Sequence, residues 1–220
     1  MCGRFVLTLS PEDMQDLFGA TLVGQLSSTA NYNVCPTQSI PVVAAHEGGR
    51  VLTSMRWGFV PHWATSLTDG PLLINARAET LAQKAAFRAA ARRRRCLIPS
   101  AGFFEWTTDE YGKKLPWYVY QKDNRPMCFA AIWQAWRDAD NRRICTVAIV
   151  TTTANSDLEA IHHRMPVVVE PQDWPLWLGE SGHGAAALMR PSPPGRVDAY
   201  RVDPAVNKMS ASGPELLTRY

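Results

Sequence analysis

Apolar positions recur with period two in several separated runs of the chain, and with helical spacing in only a few. Ile40 to Ala45 and Val51 to Trp57 read as two strands around a Glu47-Gly48-Gly49 turn. Cys96 to Pro99, Gly102 to Trp106, Trp117 to Gln121, Met127 to Trp136, Ile144 to Thr152 and Pro166 to Val169 alternate or run apolar between turn signals, which predicts further strands. A last strand begins at Tyr200, ahead of a Gly213-Pro214 turn. Helical patterns are fewer. Ser10 is an N-cap, Pro11 fits the first helical position, and Glu12 and Asp13 favour the first turn, so Met14, Leu17 and Phe18 lie on a helix ending near Gly19. A second pattern runs from Glu79 through Leu81, Ala85, Phe87 and Ala91. Asp157 to Ile161 predicts a short helical segment, and another starts at Pro171-Gln172-Asp173-Trp174 and ends near Gly179. Strands outnumber helices and no βαβ rhythm is present. The class is therefore α+β: a curled, barrel-like antiparallel sheet core with peripheral helices.

Composition narrows this picture. With 220 residues, 46% hydrophobic and 20% charged, the chain can bury its own core, and no repeat or linker divides it, so one domain over 1–220 is expected. No apolar run reaches membrane-spanning length and no secretory pattern opens the chain, which reads as cytoplasmic, with no membrane partner. The five cysteines, Cys2, Cys35, Cys96, Cys128 and Cys145, are scattered, with no C-x-x-C pair and no histidine at ligand spacing. Neither a disulfide framework nor a metal site is indicated, and no cofactor is expected. Cys96, Cys128 and Cys145 sit in apolar runs and predict buried core residues. The net charge of +3 decides no partner; Arg88 and the run Arg92 to Arg95 concentrate cations mid-chain, where a solvated helix face is the common explanation.

Candidate chemistry lies where apolar segments end in functional side chains. If Met1 is removed, Cys2 becomes an N-terminal 1,2-aminothiol whose α-amine, with an ordinary pKa near 7.7–8.0, is far more nucleophilic at neutral pH than a lysine. Such a group either attacks a carbonyl through sulfur or condenses with an aldehyde through nitrogen and closes a thiazolidine through sulfur. Glu105, flanked by Phe103, Phe104 and Trp106, is either a carboxyl with a raised pKa suited to proton transfer or an outward residue on a half-buried strand. His162, beside His163 and Arg164, is either a general acid or part of a polar turn. The loop from Val60 to Gly70 carries Trp63, a face on which a nucleic-acid base can stack.

These stretches occur together in one order. Met1-Cys2-Gly3-Arg4-Phe5, Tyr32-Asn33-Val34-Cys35-Pro36-Thr37, Arg56-Trp57-Gly58-Phe59-Val60-Pro61-His62-Trp63-Ala64 and Leu73-Ile74-Asn75-Ala76-Arg77-Ala78-Glu79-Thr80 open the series. Arg94-Arg95-Cys96-Leu97-Ile98-Pro99, Gly102-Phe103-Phe104-Glu105-Trp106, Ile161-His162-His163-Arg164-Met165-Pro166 and Val206-Asn207-Lys208 continue it. Through the whole chain the sequence resembles the SOS-response-associated peptidase family, the SRAP domain. The resemblance implies single-stranded DNA containing abasic sites as the partner, also at single-strand to duplex junctions, and a monomer that shields those sites through a covalent cross-link. It implies a catalytic set of Cys2, Asn75, Glu105 and His162. The Cys2 amine would form a Schiff base with the ring-opened sugar and its thiol would close the thiazolidine. Glu105 would relay the amine's proton, His162 would act as acid at the ring oxygen, and Asn75 would hold the sugar or the amine. The DNA-binding set it implies is Gly3, Arg4, Asn33, Val34, Pro36, Trp63, Arg77, Trp106 and Arg164, with Val34, Pro36 and Trp63 as a strand-separating wedge. Gly3 would let the backbone approach the sugar.

The chain departs from the family's pattern in places. His163 stands where an aspartate usually follows the histidine, Ser100-Ala101 precedes Gly102 where an acid is common, Phe104 replaces a frequent tyrosine and Cys35 a common alanine. Two other readings of Cys2 stay open. One is an N-terminal-nucleophile thiol hydrolase, peptidase or amidotransferase; autocatalytic removal of Met1 by Cys2, Glu105 and His162 belongs instead with the cross-linking reading. The other is non-covalent DNA binding.

Overall fold

The computed structural model describes residues 2–220; Met1, whose removal the chemistry of Cys2 requires, lies outside the described residues. The strands in chain order are β1 (Phe5–Leu7), β2 (Ala20–Leu22), β3 (Asn31–Val34), β4 (Ser39–His46), β5 (Gly49–Trp57), β6 (Asn75–Arg77), β7 (Arg95–Ser100), β8 (Gly102–Thr108), β9 (Lys114–Gln121), β10 (Met127–Arg137), β11 (Arg143–Thr153), β12 (Arg164–Pro166) and β13 (Val197–Arg201). Three α-helices accompany them: α1 (Pro11–Phe18), α2 (Ala85–Arg93) and α3 (Trp174–Leu178).

One sheet runs β13-β9-β8-β1-β3; the other runs β12-β11-β10-β7-β4-β5-β2. A further pairing of β5 with β11, at Thr146 opposite Arg56 and Val147 opposite Trp57, closes five strands of the second sheet into a barrel. The core is thus a barrel-like sheet with helices at its edge, as the hydrophobic pattern predicts. It is not wholly antiparallel: β2 with β5, β5 with β11 and β6 with β11 are parallel pairs. Pairs formed by strands far apart in sequence carry no βαβ signature, so the pattern cannot reveal them.

Both faces of the barrel strands are buried, which is why they read as apolar runs. Along β10, Cys128, Ala130 and Ile132 pack with Phe18, Phe87 and Trp174 of the helices, whereas Met127, Phe129 and Ala131 turn to the other cluster with Trp57 and Ile149. Phe5 of β1 and Phe103 of β8 join this second cluster, each with its ring 6.0 Å from that of Phe129 and nearly perpendicular to it. The two sheets therefore share one apolar seam.

The local signals translate as expected at α1, where Ser10 Oγ accepts from the Asp13 N–H at 3.1 Å and Asp13 returns the bond to the Ser10 N–H at 3.3 Å, with Gly19 left-handed at the C-cap. Elsewhere boundaries differ. Residues 79–84 form turns, and α2 starts only at Ala85. Asp157 to Ile161 is a series of turns, because the Ala154 N–H reaches the His163 carbonyl at 3.0 Å and closes the segment before a helix can extend. The paired residues after it are Arg164–Pro166, with Val168 held by an isolated bridge to Phe129. Cys96 and Cys128 are buried, but Cys145 is half-buried.

Phe129 joins the two sheets from a fully buried position. Phe129→Ala is expected to lower unfolding free energy by about 3–5 kcal/mol, measured by urea denaturation; a loss below about 1 kcal/mol would show that the seam does not hold the sheets together.

Candidate functional site at the start of the chain

The first residues run into β1 beside β8. Phe5 faces Phe103, and the Phe104 N–H donates to the Arg4 carbonyl at 2.9 Å. Continuing this antiparallel register by two residues sets Gly3 opposite Glu105, so pairing alone brings the chain start to that carboxyl. Cys2 is fully buried. Burial pushes its thiol well up from the ordinary thiol range, the Glu105 charge pushes it further, and the Arg4 backbone N–H bonded to it opposes both. At neutral pH this sulfur is a thiol and not a thiolate.

Asn75 comes from the opposite side. It opens β6, where parallel pairing sets it against Ile149 of β11. Its Nδ2 donates to the Cys2 carbonyl at 3.0 Å. Its Oδ1 is buried and finds no partner among the described residues, leaving an acceptor beside Cys2. Glu105, on β8, is 4% exposed. Burial raises its carboxyl pKa, partly offset by the Trp106 backbone N–H. The alternation of β8 explains this, since Glu105 follows Phe103 onto the inward face; of the two readings left open by the sequence, the buried carboxyl is the one observed.

His162 sits at the end of the turn that precedes β12. Its Nδ1 lies 2.9 Å from the Arg164 backbone N–H and 3.1 Å from the Arg164 carbonyl oxygen, so it accepts from the first in one tautomer and donates to the second in the other. Desolvation lowers its pKa, and neighbouring His163, stacked at 4.4 Å, and Arg164 lower it further, so the ring is neutral near pH 7. Arg164 itself is buried. It forms a two-pronged ion pair with Glu79 at 2.7 and 2.9 Å, and donates to the Thr151 carbonyl at 2.6 Å. This arrangement spends its guanidinium inside the protein, contrary to its expected role at a phosphate, and ties the His162 turn to the residues after β6. Glu79 was not among the sequence candidates. Its position two residues beyond Arg77 in the same motif was the available signal.

Three other expected DNA contacts are also engaged internally. Arg4 Nη1 donates to Asn33 Oδ1 at 2.6 Å and to the Val206 carbonyl at 2.9 Å, and its guanidinium lies 5.9 Å from the Trp106 ring centre. Asn33, 3% exposed, donates to the carbonyls of Lys208 and Ala211, and Trp106 Nε1 donates to Asn207 Oδ1 at 2.7 Å. The Val206-Asn207-Lys208 motif therefore straps the start of the chain. Val34 is buried in the core and cannot present a wedge surface, and Trp57 is buried with its Nε1 on the Ile74 carbonyl. The surface that remains is Trp63, 53% exposed, with exposed Arg77 and half-buried Pro36 and Gly3. Among the described residues no group of His, Cys, Asp or Glu could hold a metal ion, and no helix is long and apolar enough to cross a membrane.

The chain is similar to known proteins over nearly its full length. The chain is 32% identical over 221 residues to the abasic site processing protein YoqW of Bacillus subtilis, with 99% of both chains covered. It is 29% identical over 229 residues to the abasic site processing protein YedK of Escherichia coli, again with 99% of each covered. A crystal structure of a protein from Bacteroides thetaiotaomicron superposes with a TM-score of 0.88 at 27% identity, covering 100% of both chains. The model of the family described as SOS response associated peptidase (SRAP) matches residues 1–209, and the chain belongs to that family.

Proposed function

We propose that this protein recognises abasic sites in single-stranded DNA and shields them through a covalent bond to Cys2 once Met1 is gone. The relatives named as abasic site processing proteins support the substrate. The observation that carries the chemistry is Asn75: its Nδ2 holds the Cys2 carbonyl while its buried Oδ1 lacks a partner among the described residues. A carbonyl oxygen so placed accepts an N–H from the Cys2 α-amine and aims the nitrogen lone pair outward. The thiol, held protonated by burial, is then the second nucleophile and not the first.

The ring-opened abasic sugar carries an aldehyde at C1′. The Cys2 amine adds to that carbon, the carbinolamine loses water, and the C=N bond of the Schiff base forms. Sulfur then adds to the same carbon while the thiol proton passes to nitrogen, which closes a five-membered thiazolidine; no oxidant or reductant is consumed. Glu105, with its pKa raised by burial, takes the amine's proton and returns it to the departing hydroxyl. His162, in the tautomer whose Nδ1 accepts from the Arg164 N–H, carries its proton on Nε2 and donates toward the sugar ring oxygen to favour opening. Trp63 offers its exposed face to a flanking base and Arg77 its charge to a phosphate. A thiol hydrolase acting on other substrates is the less supported reading, because the relatives are named for abasic sites. Removal of Met1 by the same residues is part of the proposal, since the amine exists only afterwards.

Mixed with abasic single-stranded DNA, the protein should give a species that survives denaturing electrophoresis, and intact mass should show loss of Met1; equal yields from wild type and Cys2→Ala would sink the proposal. Glu105→Gln should slow cross-linking by about 10²-fold or more with DNA affinity retained. The same change carries a stability signature. A carboxyl with a raised folded-state pKa binds its proton more tightly when folded, so its contribution falls as pH rises above the ordinary value of 4.5. Glu105→Gln should therefore gain on wild type in urea unfolding as pH increases, and an unchanged difference across pH would contradict the assignment. Trp63→Ala should weaken DNA binding by about 1–3 kcal/mol in fluorescence anisotropy without changing the cross-linking rate at saturating DNA.

A further inference from the structure

Away from the chain start, α2, the turns before it and the segment after α3 enclose a cavity of about 500 Å³, within the size range of binding sites. Its walls are apolar: Leu81, Ala91, Trp177, Ala185 and Met189. Its rim is cationic, with exposed Arg92 and Arg93 from the last turn of α2 and exposed His183 opposite, and no aspartate or glutamate lines it. The arginine run thus divides into two pairs. Arg94 bonds Gln134 Oε1 at 2.6 Å, and Arg95 donates to the carbonyls of Ala91, Arg92 and Trp177, which binds the end of α2 to the end of α3. Arg92 and Arg93 form no side-chain hydrogen bond or ion pair among the described residues. The floor is rigid, because Trp177 is 1% exposed and its Nε1 donates to the Cys96 carbonyl at 2.8 Å.

The geometry points to an acidic peptide segment ending in a bulky apolar residue as the ligand of this cavity. The apolar side chain fills the hollow, and the carboxylates meet Arg92 and Arg93. Each half of the site excludes other occupants. A nucleic-acid strand would use the cations but find only the His183 ring to stack on, since Trp177 is buried. A second copy of the chain in a two-fold contact would set the same arginines against each other. An uncharged apolar ligand would leave the two guanidiniums without counter-charge. None of the lining residues belongs to the set Cys2, Asn75, Glu105 and His162.

The test is fluorescence anisotropy with a labelled eight-residue peptide of aspartates ending in leucine and phenylalanine, against an all-aspartate peptide of equal length and a labelled single-stranded oligonucleotide. The apolar-ended peptide should bind at least about tenfold more tightly than the all-aspartate one. The exposed-site variant Arg92→Glu/Arg93→Glu and the cavity-filling Ala186→Trp should each weaken it about tenfold or more, with unchanged thermal melting and unchanged cross-linking to abasic DNA. Equal binding of both peptides, retention of binding by Ala186→Trp, competition by the oligonucleotide for the same arginines, or self-association abolished by these variants would overturn the proposal.

Discussion

Strand β11 must satisfy the backbone hydrogen bonds of both its edges, and the position of the candidate site follows from how it does so. On one edge it pairs first with β10 and then with β12; on the other, first with β5 and then with β6. The exchange of partners happens over the same few residues, with Ile149 opposite Asn75 and Thr151 opposite both Arg77 and Pro166. An unpaired N–H or carbonyl there would be buried at a cost comparable to a lost hydrogen bond. The register is therefore strongly held. Asn75 on one side and the His162 turn on the other are delivered by a single strand, and the Arg164 to Glu79 ion pair ties the two deliveries together across it.

The second half of the site comes from the other sheet. Glu105 reaches the start of the chain because β8 pairs with β1, and the start is held in place by Arg4, Asn33 and the strap at Val206 and Lys208. Phe5 and Phe103 pack against Phe129, so the seam that stabilises the two sheets also fixes the distance between the two halves of the site. Burial then sets the chemistry. It keeps the Cys2 sulfur protonated, raises Glu105 and lowers His162, in each case favouring the neutral form. A charged Glu105 in this position costs stability, because burial disfavours its ionised form.

Much of this was legible in the residues. The helix start at Ser10-Pro11, the hairpin through Glu47-Gly48-Gly49 and the long strands β10 and β11 are local patterns of capping, turn chemistry and period-two alternation, and they appear where predicted. The short strands β1, β2 and β3 were not separable from loop, because three or four residues carry too little periodicity. Arg164, Arg4, Asn33 and Val34 were expected at DNA; an arginine in a motif reads the same whether its partner is a phosphate or a carboxylate such as Glu79, far away in sequence.

The sequence by itself determined the class, the candidate residues Cys2, Asn75, Glu105 and His162, and the family they resemble, because these depend on residue type and order. Only the tertiary structure decided that the barrel closes through parallel pairs, that Asn75 grips the Cys2 carbonyl, that the expected DNA arginines divide between internal ties and exposed Arg77, and that Arg92 and Arg93 stand over an apolar hollow. The physical reason is one of range. Propensity and alternation act over a few residues along the chain, whereas burial, pairing and charge partners are set by contacts between segments that sequence order does not bring together.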